Sequence, residues 1–179
     1  MIRTLATAMA LTILTLATAA PLAQAQTNES VAAFRDWSVF NPSDPRECYI
    51  VSPPVKTEAR RNGSTVSVRR GDILLFVTIR PDEGVDKEVS FTGGYPFREG
   101  SSVDVSIGGT TFQMAPGADD AREWAWPPSP ERDAEMIAAM RRGASATVTA
   151  VSSRGTTTID EFSLLGFTAA LEEAEKLCR

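Results

Sequence analysis

The sequence predicts a mainly β, β-sandwich-like antiparallel domain with two short helices, the last one C-terminal and anchored by a disulfide. Short runs rich in β-branched and aromatic residues follow one another, separated by Gly, Pro and Asn turn signals, which is typical of sandwiches and barrels. The longest run, 73–79, is apolar on both faces and predicts a central strand. No internal repeat or low-complexity linker interrupts the pattern, so one folded domain is expected.

Nine segments have the composition of strands. Asn62-Gly63 is the strongest hairpin signal, because both residues tolerate the positive φ angles of a tight turn. Gly108-Gly109 and Arg154-Gly155 mark two further turns between neighbouring strands. The predicted strands are 34–40, 48–51, 65–68, 73–79, 87–91, 103–107, 110–114, 146–152 and 156–162.

Two helices are predicted from their end signals and apolar periodicity. Ser129 is a favoured N-cap residue, Pro130 suits the first turn, and Gly143 ends a helix at 142. The second helix begins after Gly166, since glycine disfavours a helix interior. Its apolar stripe at helical period consists of Phe167, Ala170, Leu171, Ala174 and Leu177.

The first 25 residues are predicted to be a cleaved secretory signal peptide. Arg3 supplies the positive start, 5–16 the apolar core, and Ala23-Gln24-Ala25 a small-x-small cleavage site. The apolar core is too short to span a bilayer. Cleavage would leave a single domain at 26–179 without a transmembrane segment. We expect this domain in the periplasm, with secretion or outer-membrane association as alternatives.

Export makes the two cysteines informative. Cys48 lies near the start of the folded part and Cys178 at the end of the last helix. An even pair in an oxidising compartment is expected to form a disulfide rather than reactive thiols or a metal site. Such a bond would tie the last helix to one of the first strands.

The charge balance is acidic. The chain has 18 basic and 23 acidic residues and a net charge of −5, and removal of Arg3 would take the net charge to −6. An acidic surface argues against nucleic-acid partners and against adhesion to anionic membranes.

Several segments together resemble a known family. They are an early F-x-D-W, the C-Y-I-V-S-x-P segment, the G-G-Y-P-F block, and the closing S-R-G-T-x-T-x-D-x-F-S-L-x-G-F-T-A-A-L followed by a cysteine. In this order they resemble the invasion-associated locus B family, most specifically from 153 to 178. The resemblance implies an exported, mostly β bacterial domain. It implies no catalytic residues, and the family takes its name from a role in host-cell invasion.

The residue content speaks against catalysis. There is no histidine, which removes Ser-His and Cys-His nucleophile systems and His-ligated zinc sites. Asp160 and Glu161 are a carboxylate pair, but neighbours on a strand point to opposite faces, and a solvated strand edge is the expectation. The acidic residues in 119–123 lack the alternating spacing of a calcium loop. No cofactor or metal is therefore predicted.

Two clusters of charge raise adhesion or ligand binding as alternatives. Arg70-Gly71-Asp72 spells an integrin-type tripeptide, although a glycine between two strand-like runs first predicts a tight turn with a solvated arginine and aspartate. Arg141, Arg142 and Arg154 could form a basic spot for an acidic ligand, although the first two already suit the negative end of the first helix.

Four aromatic residues form the candidate binding face: Tyr95, Phe97, Trp124 and Trp126. Trp124 and Trp126 point to the same side if their segment is a strand, and flat rings suit sugars or proline-rich peptides. Packing against helix 129–142 is the alternative, and we expect at least one of the two tryptophans to lie under it.

These observations predict an exported, non-enzymatic envelope protein that binds a protein or a cell-envelope component. A secreted adhesin or invasion factor is the first alternative. A small carboxylate-dependent hydrolase is the second, although no constellation of residues supports it.

Overall fold

Twelve strands and two helices make up the part of the chain that the structure describes. The computed structural model describes residues 30–42 and 46–179, so the predicted signal peptide lies outside the described residues. Helix α1 spans Pro130–Arg142 and helix α2 spans Phe167–Leu177, as predicted. The strands are β1 Ala32–Phe34, β2 Trp37–Phe40, β3 Cys48–Ser52, β4 Lys56–Arg61, β5 Ser64–Thr65, β6 Leu74–Arg80, β7 Val85–Thr92, β8 Val103–Ile107, β9 Thr110–Pro116, β10 Trp124–Trp126, β11 Ser145–Val151 and β12 Thr157–Ser163.

All strand pairs are antiparallel, and the strands form one continuous ribbon in the order β1-β2-β3-β6-β7-β10-β9-β8-β11-β12-β4-β5. The ribbon has two layers, with β10 and β9 at the junction between them. The inner faces of the layers meet where the ring of Phe91 in β7 contacts the ring of Phe162 in β12 edge-on, with centroids 6.1 Å apart. The predicted antiparallel, mainly β fold is confirmed.

Both helices complete the core between the layers. Helix α1 packs against β7, and helix α2 packs against β1, β2, β3 and β6. The apolar stripe of α2 is buried from Phe167 to Ala174. A helix of this length is marginal alone in water and gains most of its stability from such packing. No helix among the described residues is long and apolar enough to cross a bilayer.

The disulfide between Cys48 and Cys178 joins the start of β3 to the residue that follows α2. The two Cα atoms are 5.9 Å apart although the residues are 130 positions apart in sequence. Arg46 reinforces the same junction, since its guanidinium donates to the carbonyl oxygens of Cys178 at 3.0 Å and Arg179 at 2.8 Å. The predicted anchoring of the last helix is confirmed.

A second contact, which we call the clasp, joins the β1–β2 turn to the start of α2. Trp37 Nε1 donates to the carbonyl oxygen of Ser163 at 3.0 Å, and the Trp37 ring meets Phe167 edge-on with centroids 5.0 Å apart. Gly166 has φ +91°, and a Cβ there would lie 1.9 Å from the carbonyl oxygen of Phe34. The clasp therefore requires glycine at 166, both for its φ angle and for its closeness to β1.

The hairpin at Asn62-Gly63 is confirmed, with φ +50° and +80° at the two residues. The predicted strand 65–68 is wrong, because the strand after this turn spans Ser64–Thr65, and one further backbone hydrogen bond joins Val66 to the carbonyl oxygen of Ala59 at 2.8 Å. β4 was not predicted, and β10 was considered only as a condition for placing Trp124 and Trp126 on one side. β4 escaped notice because it is almost entirely polar, with Ala59 as its one buried side chain.

Candidate functional site: an aromatic ridge

The structure does not bring the four predicted aromatic residues together on one surface. Phe97 is 5% exposed and packs in the core beside Phe91. Tyr95 lies over the guanidinium of Arg70, and its hydroxyl is 2.5 Å from Thr158 Oγ1. Burial raises the pKa of Tyr95, although the hydrogen bond with Thr158 opposes this shift. Tyr95 and Phe97 thus contribute to the interior.

Trp124 and Trp126 lie on the outer face of β10. Ala125 between them is fully buried, and side chains alternate along a strand, so both indole rings point away from the core. The expectation that one tryptophan lies under α1 is wrong. Helix α1 packs against β7, whereas the two rings are partly exposed and lie near-parallel with centroids 6.3 Å apart.

The tryptophans continue a row of rings that crosses the outer face of the first layer. Neighbouring centroids along this row are separated by 4.9, 5.9, 5.6 and 6.3 Å, and every ring is partly exposed. We call this row the aromatic ridge; in spatial order it consists of Phe40, Tyr49, Phe76, Trp124 and Trp126.

Strand register explains how rings from four strands meet. Phe40 and Tyr49 are direct partners on β2 and β3, and cross-strand aromatic pairs stabilise a sheet. Phe76 and Trp124 lie on either side of β7, where Ser90 is the partner of Phe76 and Thr92 the partner of Trp124. Ser90 and Thr92 are small and buried, which allows the two larger rings to close above β7.

Ring orientation varies along the ridge. The planes of Phe40 and Tyr49 are inclined by 9° with centroids 4.9 Å apart, so these two rings stack. The planes of Trp124 and Trp126 are inclined by 22°, but their centroids are 6.3 Å apart, and at this distance each ring leaves much of the other's face uncovered. Phe76 is tilted by 54° to Tyr49 and by 44° to Trp124.

A cluster of charged side chains flanks the middle of the ridge, where Glu88 of β7 is level with Tyr49 of β3 through Thr78 of β6. Arg80 has three carboxylate partners at 3.0 to 3.7 Å, which are Glu47, Glu83 and Glu88. Burial opposes the charged form of Arg80, but Glu88 and the other carboxylates outweigh burial and raise its pKa. Burial and the charge of Glu47 also raise the pKa of Tyr49.

Arg70 and Asp160 form a buried ion pair that overturns two sequence interpretations. The guanidinium donates to both carboxylate oxygens at 2.7 and 2.6 Å and to the carbonyl oxygen of Gly93 at 2.9 Å. The Asp160 side chain is fully buried, and the Arg70 side chain is 8% exposed. Arg70 is therefore not a solvated residue of an integrin-type tripeptide, and Asp160 is not part of a solvated strand edge. Both oxygens of Asp160 accept from Arg70, and the side chain has no contact with solvent, so Asp160 serves as the buried partner of an ion pair.

Two further charged sites considered from the sequence, a basic spot and a metal site, are also not formed by the described residues. Arg141 is paired with Glu172 at 3.5 Å and Glu175 at 3.3 Å, so it does not contribute a free positive charge to a basic spot. Within residues 30–42 and 46–179, no group of three His, Cys, Asp or Glu side chains is placed to hold a metal ion.

A groove of about 1050 Å³ opens at one end of the sandwich, beyond the ridge. Its floor contains the buried side chains of Phe97 and Met114, and Arg98 and Arg122 lie on its walls. Glu99 and Asp119 also line the groove. Charges of both signs are thus balanced, and the groove has no electrostatic preference for one ligand class. The ridge is the better candidate site.

Comparisons with known proteins agree with the fold. A family model described as "Invasion associated locus B (IalB) protein" matches residues 41–175. The crystal structure of invasion associated protein B from Bartonella henselae is similar, with a TM-score of 0.56 and 15% sequence identity over 82% of this chain and 96% of that chain. At this identity the similarity concerns the fold alone. No curated protein matches the sequence.

Proposed function

We propose a binding function for this chain, which belongs to the invasion associated locus B (IalB) family. In this proposal the protein is exported by its signal peptide, resides in the periplasm and has no enzymatic activity. Its aromatic ridge contacts a protein or another component of the cell envelope.

The single observation that carries this proposal is the position of the ridge. Five large aromatic side chains lie partly exposed on the sheet face opposite the core, although that core already buries other aromatic residues. Aromatic residues are enriched at the centres of protein interfaces, because they bury a large area for few frozen rotamers. A contiguous row of partly exposed aromatic side chains on a sheet face is the kind of surface that interaction sites use.

Two features support binding over catalysis. The chain has no histidine, and its one fully buried carboxylate, among the described residues, is paired with Arg70. The hydrolase alternative would need two carboxylates facing one site, and Asp160 and Glu161 do not form such a pair because Asp160 is buried in the ion pair. The burial of Arg70 also removes the integrin-type tripeptide as support for the adhesin alternative.

Site-specific photocrosslinking in the bacterium that makes the protein tests the proposal. A photoreactive residue at position 49 or 124 should give discrete adducts, while the same residue at position 147, on the outer face of the second layer, should give none. Sensitivity of the adducts to protease or to glycan-degrading enzymes identifies their class. Equal labelling at all three positions, or no adduct at the ridge, contradicts the proposal.

A further inference from the structure

The edge of β7 beside helix α1 is a second surface, with hydrogen-bonding groups that the fold does not use. We propose that residues 85–89 of β7 receive an extended segment of another polypeptide as an added strand. This site lies at a sheet edge rather than on the outer face of the sheet. It does not depend on the function proposed for the aromatic ridge.

Two prolines leave this edge of β7 open. Strand β10 pairs with only the last two residues of β7, and β10 ends at Trp126. Pro127 and Pro128 follow directly. Proline has no backbone N–H to donate, so strand pairing stops at this point. Within the part of the chain that the structure describes, residues 85–90 of β7 therefore have no neighbouring strand on this side.

The backbone of β7 directs hydrogen-bonding groups toward the position that β10 leaves empty. Such groups alternate between the two sides of a strand. Phe91 is opposite Ala125 of β10, and Val89, two residues earlier, donates its N–H to Asp133 Oδ1 at 2.7 Å on the same side. Lys87, two residues earlier again, faces this side as well. Among the described residues, the backbone of Lys87 has no partner there.

Helix α1 forms the other wall of a groove along this edge. The 13 residues of α1 extend about 20 Å, and residues 85–89 of a strand extend about 17 Å, so the helix flanks the whole open edge. The groove between helix and strand has a volume of about 430 Å³, which is within the usual range for ligand pockets. Ala134, Ile137 and Ala138 line its helical wall, and the two small alanine side chains leave room beside the strand.

The groups along the edge identify the occupant as a polypeptide. Backbone N–H and C=O groups recur at the spacing of a strand, and a second extended backbone presents the complementary groups at the same spacing. A second folded copy of this chain does not fit through its own β7, because α1 would lie between the two edges. The occupant is therefore an extended loop or chain terminus.

Charges beside the edge restrict the sequence of this segment. The carboxylate of Asp86 is 83% exposed, and that of Glu88 is 33% exposed. Like charges directly opposite each other on neighbouring strands are destabilising, so the segment lacks Asp and Glu opposite these two residues. It also lacks proline, because it must donate backbone N–H groups to β7. Alternating β-branched residues and lysines have the required chemistry.

A labelled peptide with blocked ends, Thr-Lys-Val-Thr-Val-Lys-Thr, tests the proposal by fluorescence anisotropy against the folded, disulfide-bonded protein. We expect saturable binding, with protection of the Lys87 amide proton from hydrogen exchange when the peptide is added. The control peptide has the same side chains and charge but a methyl group on every backbone nitrogen, and it should not bind. This pair of peptides separates backbone pairing from attraction of lysines to an acidic protein.

Variants of the two walls locate the binding. Ala134→Trp fills the groove from an exposed position of α1, and Lys87→Pro removes an edge-facing N–H. Each should weaken binding by roughly tenfold or more, and thermal melting verifies that both variants remain folded. Lys87→Met keeps the N–H, and Ala169→Trp makes the same substitution at an exposed position of α2, so both controls should bind as the wild type does.

Three results overturn the proposal. They are equal binding of the methylated peptide, unchanged binding by Ala134→Trp, and no saturable binding up to about 1 mM peptide, which corresponds to roughly 4 kcal/mol of binding free energy. None of them bears on the ridge, because photocrosslinking at positions 49 and 124 reports on a different surface.

Discussion

Asp133 Oδ1 accepts a hydrogen bond of 2.7 Å from the backbone amide of Val89. Strand β10 is short and pairs with β7 at Phe91 and Thr92, so the earlier part of β7 has an open edge on that side. The first turn of α1 covers this edge with a carboxylate. An unpaired buried amide would be costly, and Asp133 removes that cost.

The burial of Asp133 predicts an unusual dependence of stability on pH. Burial raises its pKa to about 6, aided by the charge of Glu88 and opposed by the Val89 amide. Between the unfolded value near 3.8 and about 6, the folded protein binds the proton more readily, so the contribution of Asp133 to stability falls as pH rises through this window. Asparagine does not titrate, so the free energy of unfolding of Asp133→Asn, relative to that of the wild type, should increase by up to roughly 3 kcal/mol between pH 4 and pH 7. Urea unfolding at both values measures this.

Glu131 is a matched control two residues away. Its pKa is lowered by the hydrogen bond with Ser129, so its contribution is present above its unfolded pKa and lost as pH falls. Glu131→Gln should therefore change the pH profile with the opposite sign. An Asp133→Asn variant with the wild-type pH profile would show that Asp133 titrates normally.

Loss of the disulfide should strongly destabilise the fold. Closing a loop of this length contributes roughly 5 kcal/mol in the chain-entropy model, and about 1 kcal/mol shifts the melting temperature of such a domain by a few degrees. Cys48→Ser and Cys178→Ser should each melt at least several degrees lower, as measured by circular dichroism. Reductant should lower the melting temperature of the wild type to the same level and leave the variants unchanged. A wild type that is insensitive to reductant would contradict the prediction.

Gly166→Ala should disrupt the clasp between the β1–β2 turn and α2. Alanine at positive φ costs about 1 to 2 kcal/mol wherever it occurs, and at 166 its Cβ also collides with the Phe34 carbonyl. Gly100→Ala is the matched control, because Gly100 has φ +72° but no atom within 4 Å of the added Cβ. We expect the melting temperature to fall clearly further for Gly166→Ala. Equal decreases in melting temperature for the two variants would mean that β1 shifts to accommodate the methyl group without a loss of stability.

Removing one partner of the Arg70–Asp160 pair should cost more than removing both. Arg70→Met leaves a fully buried carboxylate without a counter-ion, and such losses are about 3–5 kcal/mol. Arg70→Met/Asp160→Leu should recover part of this loss in urea unfolding. Arg69→Met, at an exposed neighbouring position, should stay within about 0.5 kcal/mol of the wild type. A double variant less stable than the single variant would show that the pair is itself strongly stabilising.

The fold was largely predictable because its strands have local signals, but the ridge was not. Phe76 lies in a run that is apolar on both faces, so the sequence does not show which side it occupies. Its meeting with Trp124 depends on β7 lying between β6 and β10, which is a property of strand order rather than of any local pattern. Tyr95 and Phe97 are aromatic like the two tryptophans, and the sequence does not show that their side chains point into the interior.

The buried ion pair escaped prediction for a related reason. Asp160 and Glu161 are neighbours on β12 and therefore point to opposite faces. Each face of this strand contains a charged residue, so the sequence does not show which of the two side chains is buried. Arg70 is 90 positions away and lies outside any strand. Only the packing of the two layers places its guanidinium beside Asp160.

The contact between α2 and the first strands imposes an order of events on the growing chain. β1, β2 and β3 are synthesised early, but the helix that covers their inner face is the last element to appear. Until then Trp37 has neither its hydrogen-bond acceptor nor its aromatic neighbour, and Cys48 has no thiol to join. The packing of α2 on β1, β2 and β3 can therefore form only after the whole chain has been synthesised. The bond between Cys48 and Cys178 likewise joins one of the first strands to the last helix, so it cannot form on a partial chain.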